Sequence, residues 1–311
     1  MFQLMFLFLV FVVSVETVEL NGGFRHIKYA DYERLKFAAG WLDCGRIVLY
    51  IQRRNMEHYI RYIQITWDIT ITITGEKGLN VTDNFLGSAA TKIYDAGFES
   101  CKSYTMKWTA NEKRRTPSER PLSNMKGEQV IKMPCKCEQS VIEMEPFKLQ
   151  TMNGAKYTFP SQSESGTRDY VFLRECNILK TRISINGSVT SMGPTAQLNS
   201  VQYSFPNLVH APHVLTMNPQ GVPELNGRGN VNVHDDHYAG AEWFIGNDKF
   251  IMVFTNIEVR VLWDYKEKTI TIAAGEEFDA CGLLTYGNGK ASDNVQQLPK
   301  EFVKECVISK R

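Results

Sequence analysis

The residues best equipped for chemistry lie in one stretch, Cys281 to Asn294, which reads Cys-Gly-Leu-Leu-Thr-Tyr-Gly-Asn-Gly-Lys-Ala-Ser-Asp-Asn. Its three glycines and the polar side chains of Asn288, Asp293 and Asn294 argue against a helix or strand interior, because Gly and Asn weaken both. What remains is an oxygen-rich loop pinned by Cys281. Oxygens spaced along such a loop suit a hard cation such as Ca²⁺. The same composition also suits an ordinary Asn/Asp/Gly turn. A second set is histidine: His210-Ala-Pro-His213 and His234-Asp-Asp-His237 hold four of the six histidines. Two such pairs could ligate Zn²⁺, with Asp235 or Asp236 orienting a ligand or serving as base. They read more simply as exposed loop histidines, since the members of an i, i+3 pair on a strand face opposite sides. His26 and His58 stand alone and suit surface or packing roles. Gly-x-Ser-x-Gly, a glycine-rich phosphate loop and His-Glu-x-x-His are all absent from the sequence, so nucleophilic catalysis has no support. Cys-x-x-Cys, the usual thiol-redox pair, is absent too.

The elements that must hold these residues are mostly strands. Ile63, Ile65, Trp67, Ile69, Ile71 and Ile73 alternate with polar residues through Thr74, so one face of an antiparallel strand is buried and the other wet. Cys44 to Gln52 is a further strand. Tyr29 to Trp41 is expected to form a short helix, with Tyr32, Leu35, Phe37 and Ala38 as an imperfect apolar face. Ala110 to Gly127 carries two prolines and many charges and is expected to be a long exposed loop. Within it Lys113-Arg114-Arg115 reads as a solvated loop, a protease site or a basic patch. Asn186-Gly187, after a strand over Lys180–Ile185, signals a hairpin turn.

Hydrophobic residues make up 43% of the 311 and support a packed core, while a net charge of +1 offers no field for nucleic acid. Phe2 to Val15 is apolar apart from Gln3 and Ser14, too short for a bilayer span and suited to a signal peptide of residues 1–17. No later stretch has the apolar length of a membrane helix, so no span is expected. Secretion would place the seven cysteines (44, 101, 135, 137, 176, 281, 306) where disulfides form, with at least one left over for a free thiol or an interchain bond. Cys135-Lys-Cys137 can bridge to two separate partners or act as a minimal redox pair. Asn80-Val-Thr82 and Asn186-Gly-Ser188 are glycosylation acceptors.

Four motifs in the second half carry a resemblance. Thr151-Met-Asn-Gly-Ala-Lys-Tyr-Thr-Phe159, Tyr170-Val-Phe-Leu-Arg-Glu-Cys176, the pair Glu258–Trp263 and Lys268–Ile272 around Asp264, and Cys281–Asn294 occur in that order, followed by Cys306. They resemble, respectively, the Thr-Phe-Asp-Gly-x-x-Tyr-x-Phe opening, the Tyr-x-Leu-x-x-Cys strand, the Trp-Asp-Gly hairpin and the Cys-Gly-Leu-Cys-Gly-Asn-Tyr-Asn-Gly-x-x-x-Asp-Asp loop of von Willebrand factor type D domains. Cys281, Gly282, Leu283, Asn288, Gly289 and Asp293 coincide with the family loop. Asn153 and Asn294 stand where the family has Asp, and Leu284 stands where it has a second Cys. The resemblance covers residues 147–306; residues 20–140 resemble nothing identified.

The resemblance implies a Ca²⁺ site made by Asn153, Asn288, Asp293 and Asn294, weakened because two carboxylates have become amides. It implies a bond between Cys176 and Cys306. Since Leu284 removes the usual partner of the family's opening cysteine, it leaves Cys281 to Cys135 or Cys137, with one odd thiol among the remainder and at most a dimer through it. The expected architecture is all-β, mainly antiparallel sheets, in two β-rich domains (20–140 and 147–306) with minor short helices. The expected function is a secreted, non-enzymatic interaction or structural protein of a matrix, mucus, coat or body fluid, with extracellular protein or glycan partners. Two alternatives are kept: a secreted enzyme built on a D domain, luciferase-like or dependent on a histidine-bound metal, and a relative of the lipid carriers.

Overall fold

A computed structural model describes residues 25–27, 35–53, 65–87, 90–114, 124–160, 166–176, 183–192, 195–205, 213–220, 223–227, 241–246, 248–254, 257–276, 278–286 and 296–308. The first half forms β1 (Arg25–Ile27), β2 (Leu35–Trp41), β3 (Arg46–Arg53), β4 (Ile65–Thr74), β5 (Asn80–Gly87), β6 (Ala90–Asp95), β7 (Ser103–Arg114) and β8 (Asn124–Lys132). The second half forms β9 (Glu138–Met144), β10 (Phe147–Gln150), β11 (Lys156–Thr158), β12 (Gly166–Glu175), β13 (Ser184–Met192), β14 (Thr195–Phe205), β15 (His213–Met217) and β16 (Pro223–Leu225). It continues with β17 (Ala241–Gly246), β18 (Lys249–Phe254), β19 (Val259–Asp264), β20 (Thr269–Ala274), β21 (Ala280–Cys281), β22 (Gln296–Gln297) and the helix α1 (Lys300–Glu305). The fold is all-β.

Four sheets result, with strand orders β5-β4-β7-β8, β1-β2-β3-β6, β17-β18-β19-β20-β9-β10-β11-β22 and β16-β15-β14-β13-β12-β21. Pairing is antiparallel except between β11 and β22. The sheets stack in that order. Trp67, Ile69, Ile71 and Ile73 of β4 pack against Phe37, Trp41, Ile47 and Leu49 of β2 and β3. The other side of the second sheet, with Val48 and Tyr50, meets Phe244, Ile251, Val253 and Leu262 of the eight-stranded sheet. That sheet's far side, with Phe250, Val261, Trp263 and Ile272, closes on Phe172, Val201, Tyr203 and Leu215 of the fourth.

Position in the stack explains the sequence patterns. The outermost sheet has one wet face, so β4 alternates. The eight-stranded sheet is covered on both sides, and Phe250 to Phe254 and Val259 to Asp264 are buried throughout. These strands therefore read as continuous apolar runs rather than alternations. The exception is Arg260, 0% exposed, which lies between the second and third sheets. Its guanidinium sits 4.6 Å from the Trp41 ring, and Nη1 donates to the carbonyls of Val259 (2.9 Å), Phe254 (3.3 Å) and Ile257 (3.3 Å). Burial pushes its pKa down to about 9 against the opposing charges of Glu258 and Glu242.

Several expectations are corrected. Of the helix expected over Tyr29 to Trp41, residues 35–41 are instead β2, with Phe37, Ala39 and Trp41 packed on one face at the strand period of two, and residues 29–34 are outside the described residues. The long loop from Ala110 to Gly127 is largely a hairpin. Strand β7 runs to Arg114 and β8 starts at Asn124, with Asn111 opposite Asn124. Lys113 lies on the wet face and pairs with Asp68 at 2.9 Å, whereas Glu112 beside it is buried, so the polar run is strand rather than loop. Residues 115–123, which include Arg115, are outside the described residues. Asn186-Gly187 is no turn but the interior of β13, paired with β12 and β14. Gly187 is required because a Cβ there would lie 2.0 Å from the Phe172 ring. The hairpin around Asp264 is present as expected, and Asp264 Oδ1 accepts from the Lys266 and Glu267 amides at 3.1 Å each.

Candidate functional site

The cysteines define the site's frame. Cys44 bonds Cys137, Cys101 bonds Cys135, and Cys176 bonds Cys281. The expected Cys176–Cys306 bond and the expected pairing of Cys281 with Cys135 or Cys137 are both overturned. The reason is strand register. In the β12–β21 pair, Arg174 faces Cys281 and Glu175 faces Ala280, and the Cys176 amide donates to Asp279 O at 2.9 Å. That brings the Cα atoms of Cys176 and Cys281 to 5.0 Å, within disulfide reach. Cys306 carries the odd thiol. It lies at the end of α1, only 8% exposed, and burial pushes its thiol pKa up. A dimer through it is not available without opening the C-terminal segment, whose Cys306 carbonyl accepts the Val171 amide at 2.9 Å.

Residues next in sequence to Cys135, Cys137 and Cys281 line a cleft of about 460 Å³. Lys136 and Glu138 line one wall, from the strap between the two first-half disulfides into β9. Asn153 and Met152 line another, from the turn between β10 and β11. Glu276, Phe278, Asp279, Ala280 and Thr285 complete it. Lys136 Nζ bonds Glu138 Oε1 at 2.9 Å, and that bond with the nearby Asp279 charge raises the Lys136 pKa. Three carboxylates against one ammonium leave the cleft acidic.

The turn between β10 and β11 touches the segment that follows Cys281. The Met152 amide donates to Leu284 O at 2.8 Å. Leu284 itself is buried in the core, which accounts for an apolar residue at that position. Gly282 has φ +125°, and a Cβ there would lie 2.6 Å from Phe172 O, so only glycine lets the loop approach β12.

Asn153 closes its own turn. Its Oδ1 accepts from Thr151 Oγ1 at 2.5 Å and from the Ala155 amide at 3.2 Å. The Thr151 hydroxyl also lies 3.2 Å from Ala155 O. Asn288, Asp293 and Asn294 lie outside the described residues. Among the described residues, no three His, Cys, Asp or Glu side chains stand close enough to hold a metal. Of the histidines, His213 starts β15, with Nδ1 3.2 Å from Asn226 Nδ2 and its ring against Phe205. His26 lies in β1, and His58, His210, His234 and His237 are outside the described residues, as are Asp235 and Asp236. Of the glycosylation acceptors, Asn80 begins β5 and is exposed, whereas Asn186 is half-buried within β13.

No protein-family model matches this chain, and no curated protein matches it.

Chemically, the cleft offers charge and shape for recognition. Its carboxylates stand open to solvent, and none of its lining residues is Ser, Cys or His. Sequence reasoning missed the cleft's acidic members, Glu138 at the start of β9 and Glu276 and Asp279 in the link between β20 and β21, which share no motif. It also missed Arg260, whose only signal was a charge inside an apolar run.

Proposed function

We propose that this chain is a secreted, non-enzymatic extracellular protein, a structural or interaction component of a matrix, mucus, coat or body fluid, whose C-terminal half is a D-type module. The observation that carries the reading is the set of three disulfides, which engages six of the seven cysteines. Bonds of this kind form and persist in oxidising compartments. No helix among the described residues is long and apolar enough to cross a membrane, which agrees with release from the cell. The D-type reading is supported by the contact of the turn at Thr151–Ala155 with Leu284. Packed interlayers and an open charged cleft favour contact with protein or glycan partners over enclosure of an apolar cargo. Expression in animal cells tests this. The chain should appear in the medium with its N-terminus between Val15 and Val18 and with the three disulfides formed on peptide mapping. A cytosolic product with Met1 intact and its cysteines reduced would overturn it.

A further inference from the structure

Strand β5 is an open edge. Among the described residues it pairs with β4 alone, in unbroken register from Asn80–Thr74 to Gly87–Trp67. None of its eight residues is buried, and exposed and half-buried positions alternate along it. Open edges template pairing with another chain, and proteins guard them with lysines, prolines, bulges or covering elements. The opposite edge of the same sheet, β8, is guarded in this way: Lys126, Glu128 and Lys132 stand exposed along it. Strand β5 has no Lys, Arg or Pro and no bulge. Its one charge, Asp83, is engaged by Lys92 at 3.3 Å and by the Tyr94 hydroxyl at 3.2 Å. Leu86, on the same face as Asn80, Thr82 and Asn84, is 64% exposed. What β5 does carry is the acceptor Asn80-Val-Thr82, with both polar side chains exposed on that face.

We propose that Asn80 carries an N-linked glycan, and that this glycan keeps β5 from pairing with the β5 of a second copy. The inference rests on the secretion reading. In the transfer, Asn80 Nδ2 displaces the pyrophosphate of a lipid-linked oligosaccharide at its anomeric carbon. An N–C bond forms, the C–O bond to phosphate breaks, and the amide gives up one proton. The glycan is bulky and hydrated, and β5 runs only about 26 Å, so a glycan rooted at one end shields much of it. The second acceptor lacks this setting. Asn186 lies between two paired strands, accepts Ser184 Oγ at 2.7 Å and faces Gln202 and Val171 across the sheet.

Four forms of the chain secreted from animal cells test the proposal: wild type, Thr82→Ala, Thr82→Ser and Thr82→Ala with Leu86→Lys. The Asn80 peptide should carry glycan in the wild type and in Thr82→Ser, and lose it in Thr82→Ala. Light scattering should show monomers for the first two and a rise in apparent mass of about twofold or more for Thr82→Ala. Leu86→Lys should return that variant to monomer by charging the bare edge. Three results would overturn the proposal: a secreted wild type with unmodified Asn80, a monomeric Thr82→Ala, or aggregates that Leu86→Lys does not disperse. A chain kept in the cytosol with Met1 intact refutes secretion itself, and the glycan with it.

Discussion

At the scale of single residues, the structure turns on side chains whose backbone or burial leaves no substitute. Gly282 is one. With φ +125° and Phe172 O 2.6 Å from any Cβ, Gly282→Ala must strain the loop or push it off β12. A cost of roughly 2–3 kcal/mol is expected, read as a lowered urea midpoint at unchanged slope. Cys306 is another. Its buried thiol, with the proton held more tightly than usual, should resist a thiol reagent in the native protein and react once in denaturant. Rapid native labelling of one thiol would show the C-terminal segment to be open. Asn153 belongs here too. Because its oxygen closes its own turn, Asn153→Ala should cost about 1 kcal/mol, equally with and without millimolar Ca²⁺ in thermal melts.

At the scale of elements, burial decides what each strand tolerates. Ile71 of β4 is fully buried, whereas Thr72 beside it lies on the half-exposed outer face opposite Thr82. Ile71→Ala should therefore cost about 3 kcal/mol, while Thr72→Ala stays within about 1 kcal/mol, both by chemical denaturation. Equal effects would mean that β4 is not packed as described. The alternation that identified this strand is legible because an outermost sheet sees water on one side. The same logic misread β2, whose sheet is covered on both sides so that no polar alternation shows, and misread Asn186-Gly187, where glycine answers to an aromatic ring in the next strand rather than to a turn.

At the scale of the whole molecule, tyrosines sit at and around the joints between layers. Tyr50 lies 4.3 Å from Phe244 across the second interface, and Tyr203 is buried in the third. Burial raises the pKa of Tyr50, Tyr94, Tyr203 and Tyr265 above the ordinary 10.0. Above that pH the unfolded chain loses phenolic protons that the native chain keeps. The native state then binds more protons, and stability falls as pH rises. The tyrosine contribution should be level below about pH 9 and decline above 10, followed by melting temperature across alkaline buffers. Arg260 acts the other way: the charge it buries between layers costs most where it is protonated, below about 9, and less above. A net decline through pH 10 to 12 is expected because several such phenols, Tyr157 among them, oppose one guanidinium.

The residues alone determined that the chain is all-β and antiparallel. Period-two alternation, as in Ile65 to Thr74, is a local pattern that one strand carries by itself. They also marked Asn80 and Asn186 as acceptors, since acceptor triplets are contiguous, while the resemblance supplied the Asp264 hairpin. Tertiary structure alone decided the rest. Which acceptor stands on an open edge, which cysteine faces Cys176, and why Arg260 sits in an apolar run all depend on strands far apart in sequence. Disulfide partners follow register across a ladder, and a shift of one residue turns every side chain to the other face. The acidic cleft joins residues 136 to 285, and the buried thiol is the one left over when register has paired the other six.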